Sequence, residues 1–281
     1  MRRALFAVLI PAALSAFAAP APKTFSVVHA TLHDRQEDGP VLPEGYQYVS
    51  GELLYLSFRL SGFKVKDDKV DLRWQLVAVD PEGLLLSPPT NGAFREEVSY
   101  NDKDWLPKVQ QTLALPGQIP PGDYKLKIRV ADELAGATAE GEVAFKVGGK
   151  PFPHPDAFSV LDLQFFRSDA DREPLSPSVF HPGETLFARF QLAGFQIGEK
   201  NLYNVGYSLS ISDSTGKVLY TQPEAAKDSG SPFYPKRLLK GELNLNLTGG
   251  VLPAEYTLTV LAKDEVGNTK AEASARFQVA K

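Results

Sequence analysis

Gly51-Glu52-Leu53-Leu54-Tyr55-Leu56-Ser57-Phe58-Arg59-Leu60-Ser61-Gly62-Phe63 returns, at an offset of 132 from Gly51 to Gly183, as Gly183-Glu184-Thr185-Leu186-Phe187-Ala188-Arg189-Phe190-Gln191-Leu192-Ala193-Gly194-Phe195. In the first copy Leu54, Leu56, Phe58 and Leu60 alternate with Tyr55, Ser57 and Arg59, so an extended chain buries one face and wets the other. The repetition governs everything around it, because self-similarity at a long period sets the organisation of a chain before any local motif does.

Outward from this stretch the two copies stay in step. Phe25-Ser26-Val27 returns as Phe158-Ser159-Val160, and Leu76, Asp80 and Gly83 return as Leu209, Asp213 and Gly216. Tyr124, Leu126, Asp132, Glu133, Phe145 and Val147 return as Tyr256, Leu258, Asp264, Glu265, Phe277 and Val279. Period-two alternation recurs in Val70 to Ala78, Tyr124 to Val130, Tyr203 to Ile211 and Leu243 to Leu247, and the chain after the leader offers no comparable helical stripe. Turn signals such as Asp80-Pro81-Glu82-Gly83 and Asp213-Ser214-Thr215-Gly216 separate the strands.

Two details refine the architecture. Ile119-Pro120-Pro121-Gly122-Asp123-Tyr124 and Leu252-Pro253-Ala254-Glu255-Tyr256 read as a turn followed by a tyrosine whose phenol bonds back to a nearby backbone group, the tyrosine corner. Trp74, matched by Tyr207, falls where a sandwich of this class carries a core aromatic. On these residues both copies resemble bacterial extracytoplasmic immunoglobulin-like, fibronectin-III-like domains, although the flanking cysteines are absent. The expected fold is therefore all-β: two tandem immunoglobulin-like antiparallel β-sandwiches after an N-terminal signal peptide. The expected domains are residues 23–148 and 157–281, joined by a Gly/Pro linker over 149–156, read from Gly148-Gly149-Lys150-Pro151-Phe152-Pro153-His154-Pro155.

The leader is read from Met1-Arg2-Arg3, the apolar run Ala4 to Ala13 and the small-residue ending Ala16-Phe17-Ala18-Ala19, which together predict a secretory signal peptide over 1–19 cleaved at Ala19 or Ala21. Removing nineteen residues from 281 leaves 262, and losing Arg2 and Arg3 leaves 28 basic against 34 acidic residues. No basic block remains to neutralise phosphates, so nucleic acid is not an expected partner. The expected location is exported, periplasmic or extracellular, with no membrane insertion after processing. With no cysteine, stability must come from packed cores, and no lipid-anchor cysteine is present.

Several groups are candidate sites. Each copy carries more residues than a plain domain of this class, and the surplus lies in aromatic and proline-rich segments, 87–107 and 221–237, where the copies diverge. Phe94, Tyr100, Trp105, Phe233 and Tyr234 lie there as candidate binding residues, either stacking on a ligand or closing a sandwich edge. Asp169, Asp171 and Glu173 alternate as calcium ligands do, but three carboxylates fall short of the six to eight oxygens calcium takes, and solvated loop charge is the simpler reading. His29 and His33, four apart on one strand, would share a face but do not complete a zinc site.

No nucleophilic cysteine, G-x-S-x-G elbow, phosphate loop or H-E-x-x-H occurs, and no catalytic residue, metal site or cofactor is expected. The functional expectation is an exported non-catalytic binding or scaffold protein acting through loops or edges on a protein or glycan of the cell envelope or exterior. The alternatives are a carbohydrate-binding accessory protein using loop aromatics and, behind it, a secreted hydrolase or inhibitor.

Overall fold

The computed structural model describes residues 24–98, 102 and 104–281; the expected signal peptide lies outside the described residues. The first eight strands are β1 Ser26–His33, β2 Gln47–Tyr48, β3 Leu53–Ser61, β4 Leu72–Val79, β5 Thr90–Phe94, β6 Lys108–Ala114, β7 Gly122–Asp132 and β8 Ala137–Val147. They form a three-stranded sheet in the order β1-β3-β6 and a five-stranded sheet in the order β2-β8-β7-β4-β5. All neighbours are antiparallel except the short pair β2 and β8.

The next eight reproduce this plan strand for strand: β9 Ser159–Phe166, β10 Val179–Phe180, β11 Thr185–Ala193, β12 Tyr203–Asp213, β13 Val218–Gly230, β14 Leu238–Asn246, β15 Ala254–Asp264 and β16 Thr269–Val279. Their sheets are β14-β11-β9 and β10-β16-β15-β12-β13, again with one parallel pair, β10 with β16. The alternation read from the sequence is the alternation observed. Leu54, Leu56, Phe58 and Leu60 are buried on β3, and Leu72, Trp74 and Leu76 of β4 are buried on the opposing sheet. Burying one such side chain contributes about 1.5–3 kcal/mol, and these cores hold a chain that has no covalent staple.

Each core seats a large aromatic against a strand glycine. Edge-to-face with Phe58, the Trp74 ring lies so close to Gly92 that a Cβ there would stand 2.3 Å from Trp74 Cζ2. In the second sandwich Phe190 covers Gly241, where a Cβ would stand 2.2 Å from the ring. Tyr207 packs edge-to-face on Phe190 at 5.0 Å, so the Trp74 position keeps its aromatic role.

Three expectations change. Segment 87–107 is not a loop throughout, because Thr90–Phe94 forms β5 and pairs with β4, which puts Phe94 on a strand. Segment 221–237 is not a loop throughout, because β13 pairs with β12 from Val218 to Gly230 and absorbs the extra residues in two bulges. Only 231–237 leaves the sheet. His29 and His33 do not share a face: a bulge between Val28 and Thr31 puts His29 in a left-handed conformation at φ 52° and breaks the period of two. His29 is exposed, while the His33 ring bonds Gly39 O and Ser57 Oγ, each at 2.8 Å. Asp162 repeats the bulge in the second copy at φ 53°.

Candidate functional site

The recurring acids are structural capping groups. Asp132 and Asp264 are each 1% exposed at matching sandwich ends. Asp132 Oδ1 accepts from the Leu134 and Ala135 amides and its Oδ2 from the Lys64 amide at 2.7 Å; Asp264 accepts from the Val266 and Gln196 amides. Buried carboxylates supplied with backbone donors tie one turn to another and have little capacity left for a ligand.

At the segment of Asp169, Asp171 and Glu173 the convergence of carbonyls has a cation already supplied by the chain. Arg189 donates to the carbonyls of Asp171 at 2.5 Å, Ser168 at 3.3 Å and Asp169, while its guanidinium lies 4.4 Å from the Phe166 ring centre. The Asp171 carboxylate faces its own loop, accepting from Ser168 Oγ and from the Ser168 and Arg167 amides, and the Ser168 hydroxyl chiefly holds its pKa below the ordinary value.

The two tyrosine corners form as read: Tyr124 donates to Pro120 O at 2.7 Å and Tyr256 to Leu252 O at 2.8 Å. Beside each corner lies the turn after the third main strand, and Asp80 and Asp213 fold these turns alike. Asp80 Oδ1 accepts from the Glu82 and Leu84 amides, and Asp213 Oδ1 from the Thr215 and Lys217 amides. The ends built from these parts then differ.

At the first end a side chain from the second sandwich completes the core. Tyr234, 5% exposed, joins the apolar cluster of the first sandwich, and its hydroxyl donates to Asp80 Oδ2 at 2.9 Å. Burial, followed by the bond to Asp80, pushes the Tyr234 phenol well above its ordinary pKa; burial and the Asp80 charge push Tyr124 to about 12. Arg237 grips Glu82 with two parallel bonds, Nη1 to Oε1 at 3.1 Å and Nη2 to Oε2 at 2.8 Å.

Bonds behind it pre-shape the segment that carries these two side chains. Asn201 Nδ2 donates to the Pro232 and Phe233 carbonyls at 3.2 and 2.6 Å, and Ser231 Oγ donates to Lys200 O. Lys236 Nζ donates to Asp228 Oδ2 at 2.8 Å and to Tyr203 OH at 3.3 Å, and Tyr203 donates to Asp228 Oδ1 at 2.8 Å. Burial opposes the charges of Lys236 and Asp228, yet their mutual bonds keep the Lys236 pKa raised and the Asp228 pKa lowered. The aromatic and the arginine therefore stand on a braced loop.

At the second end the matching position holds an open slot of about 650 Å³ between the edge strands β13 and β14. Its walls include Ile211, Leu219, Tyr220, Leu247, Leu252 and Tyr256, with polar rim groups from Gln222, Asn244 and Asn246. Leu219 is 51% exposed, Tyr220 45% and Leu252 73%, whereas Leu86, which holds the place of Leu219 in the first copy, is 3% exposed.

Of the candidate binding residues, Phe94 and Trp105 come together edge-to-face at 6.5 Å, and Trp105 also packs on Phe63 at 5.8 Å, all three partly buried against the first core. Tyr100 lies outside the described residues. Phe233 is half exposed, and Tyr234 is buried in the first sandwich. Arg237, Asp80, Glu82 and the slot residues Leu219, Tyr220 and Leu252 were not among the sequence candidates. The signal for Arg237 was available in Pro232-Phe233-Tyr234-Pro235-Lys236-Arg237, an aromatic pair bracketed by prolines and followed by two cations.

No protein-family model matches the chain, and no curated protein sequence does. Among solved structures it is similar to the alkylpurine DNA glycosylase of Pseudomonas fluorescens bound to DNA containing an abasic site analogue, at 14% identity over 44% of this chain and 30% of that one, TM-score 0.31. It is similar to red sea bream transglutaminase at 10% identity over 94% of this chain and 32% of that one, TM-score 0.26. It is also similar to the C-terminal domain of the antigen I/II-family protein AspA of Streptococcus pyogenes, at 9% identity over 92% of this chain and 99% of that one, TM-score 0.29. The chain thus spans about a third of the first two proteins. At these scores the likenesses bear on neither activity nor partner, and the β-sandwich architecture rests on the chain's own strand pairing.

Proposed function

We propose that this chain is an exported, non-catalytic binding or scaffold protein, made of two fibronectin-III-like modules over residues 23–148 and 157–281 with the linker at 149–156. The observation that carries this reading is the junction: Tyr234 buried against the first core with its hydroxyl on Asp80, and Arg237 paired with Glu82. A flexible spacer has no use for a buried, hydrogen-bonded aromatic between its modules, since the default between domains is relative motion unless the contact is substantial. A braced junction holds two modules in one orientation, which suits a protein that presents a surface to a protein or glycan of the cell envelope. The Tyr124, Tyr234 and Tyr256 hydroxyls at the two ends are each spent on a bond within the chain, which supports a non-catalytic role.

In-cell photo-crosslinking tests this reading, with a crosslinking residue placed in turn at exposed positions on both sandwiches. Discrete adducts from a confined patch, with no substrate turnover by the purified chain, are expected. Adducts no different from those of an unrelated exported protein would overturn it. Sequencing the mature N-terminus tests export separately.

A further inference from the structure

The two sandwich ends are equivalent parts with different occupancy, and the occupied one shows what such an end accepts. At the first end the parts are the turn carboxylate Asp80, the corner residues Pro120 and Tyr124, and the core positions Ala78, Leu86 and Leu115. Tyr234 arrives from outside the sandwich, its ring buried among the residues of the first core and its hydroxyl on Asp80 Oδ2. At the second end the corresponding residues are Asp213, Leu252, Tyr256, Ile211, Leu219 and Leu247.

All but Asp213 line the slot, and Asp213 sits on the turn beside it. Among the described residues Asp213 directs its inward bonds through Oδ1, to the Thr215 amide and hydroxyl and the Lys217 amide, leaving Oδ2 as Asp80 Oδ2 would be without Tyr234. The exposed Leu219, Tyr220 and Leu252 line the slot together, a concentration of large apolar groups that scattered surface hydrophobics do not produce.

We infer that this slot is a docking site for a partner protein that inserts a tyrosine from a braced turn, ring between β13 and β14 and hydroxyl on Asp213, as Tyr234 enters the first sandwich. This rests on the binding-scaffold reading and assigns its contact surface. The volume of about 650 Å³ accommodates an aromatic side chain with its flanking residues. Tyrosine combines apolar area with a polar tip, which matches an apolar slot with a carboxylate on the turn beside it and makes it a common interface anchor. The second end differs in one feature that sharpens the partner: Thr215 stands where Glu82 meets Arg237, so no arginine is required two or three residues beyond the tyrosine.

The chain contains its own probe. A synthetic peptide covering Ser231–Leu239, cyclised to keep the turn, is titrated into the full-length processed chain and followed by calorimetry and NMR. One saturable site is expected, with affinity falling about tenfold or more when the peptide tyrosine becomes alanine, as for a buried aromatic anchor. Leu219→Asp should abolish binding without moving the thermal midpoint, and Asp213→Asn should weaken it several-fold.

Absence of saturable binding, equal binding of the alanine peptide, or insensitivity to Leu219→Asp would each overturn the assignment. Concentration-dependent self-association lost in Leu219→Asp would overturn it too, by making a second copy of the chain the occupant. Crosslinked partners that persist in Leu219→Asp would sink the slot while leaving the scaffold reading intact.

Discussion

The end of the first sandwich and the end of the second share a tyrosine corner, an aspartate-capped turn and the same strand order, yet one is finished and the other is not. In the first, Leu86 turns into the core and Tyr234 closes the gap from the neighbouring sandwich. In the second, Leu219 falls in a bulge between the Ile211–Tyr220 and Ser212–Val218 pairs and stays half exposed. The difference teaches that an identical frame can serve as a joint or as an open face, according to whether a side chain from elsewhere reaches it.

Removing the closing side chain should have the largest effect on this comparison. Tyr234→Ala leaves a cavity and strands Asp80, so the first sandwich is expected to lose about 3–5 kcal/mol, the range for truncating a buried aromatic. Chemical denaturation checks the loss, and X-ray scattering should show a wider spread of inter-module distances. An unchanged scattering profile would mean that Tyr234 does not fix the joint.

Next in size is the leucine pair. Leu86→Ala should cost about 2–4 kcal/mol and Leu219→Ala about 0.5 or less, because only the first deletes buried methyls. Equal costs, measured in the same denaturant series, would erase the distinction between a filled and an open end.

The two corners should respond alike and modestly. Tyr124→Phe and Tyr256→Phe each remove one hydrogen bond, to Pro120 O and Leu252 O, and about 1 kcal/mol is expected for each. A much larger cost at Tyr124 would show that the corner itself, and not only Tyr234, bears the joint.

The smallest effect concerns acid. Arg237 bonds hold the Glu82 carboxyl below its ordinary value of 4.5, so the folded state favours the charged form. That contribution is fully present above the ordinary value and disappears as pH falls through the lower folded value. Glu82 is 63% exposed, so solvent screens the pair and a small loss is expected. Comparing the wild-type chain with Arg237→Ala across this acid range should show a difference at neutral pH that closes on acidification.

Much of the fold was legible, and the reason is physical. Alternation at a period of two survives in sequence because a sheet with one buried face demands it at every strand, and Leu54 to Leu60 met that demand where expected. The tyrosine corners were legible because donor and acceptor lie four residues apart. Of the candidate site residues, Tyr234 was named without its partner, since Asp80 lies 154 positions away and nothing local couples them. Bulges were not legible either: a single inserted residue at His29 or within β13 shifts a face without changing composition.

The amino-acid sequence by itself determined two similar all-β units with cysteine-free cores and a capped turn and tyrosine corner at one end of each, because all of these follow from contacts between near neighbours or from a repeating face. Only the tertiary structure decided that one end would be filled and the other left open. That outcome depends on where the braced segment 231–237 is carried when the sandwiches meet, a question of long-range geometry on which a tyrosine four residues before a strand has no local information.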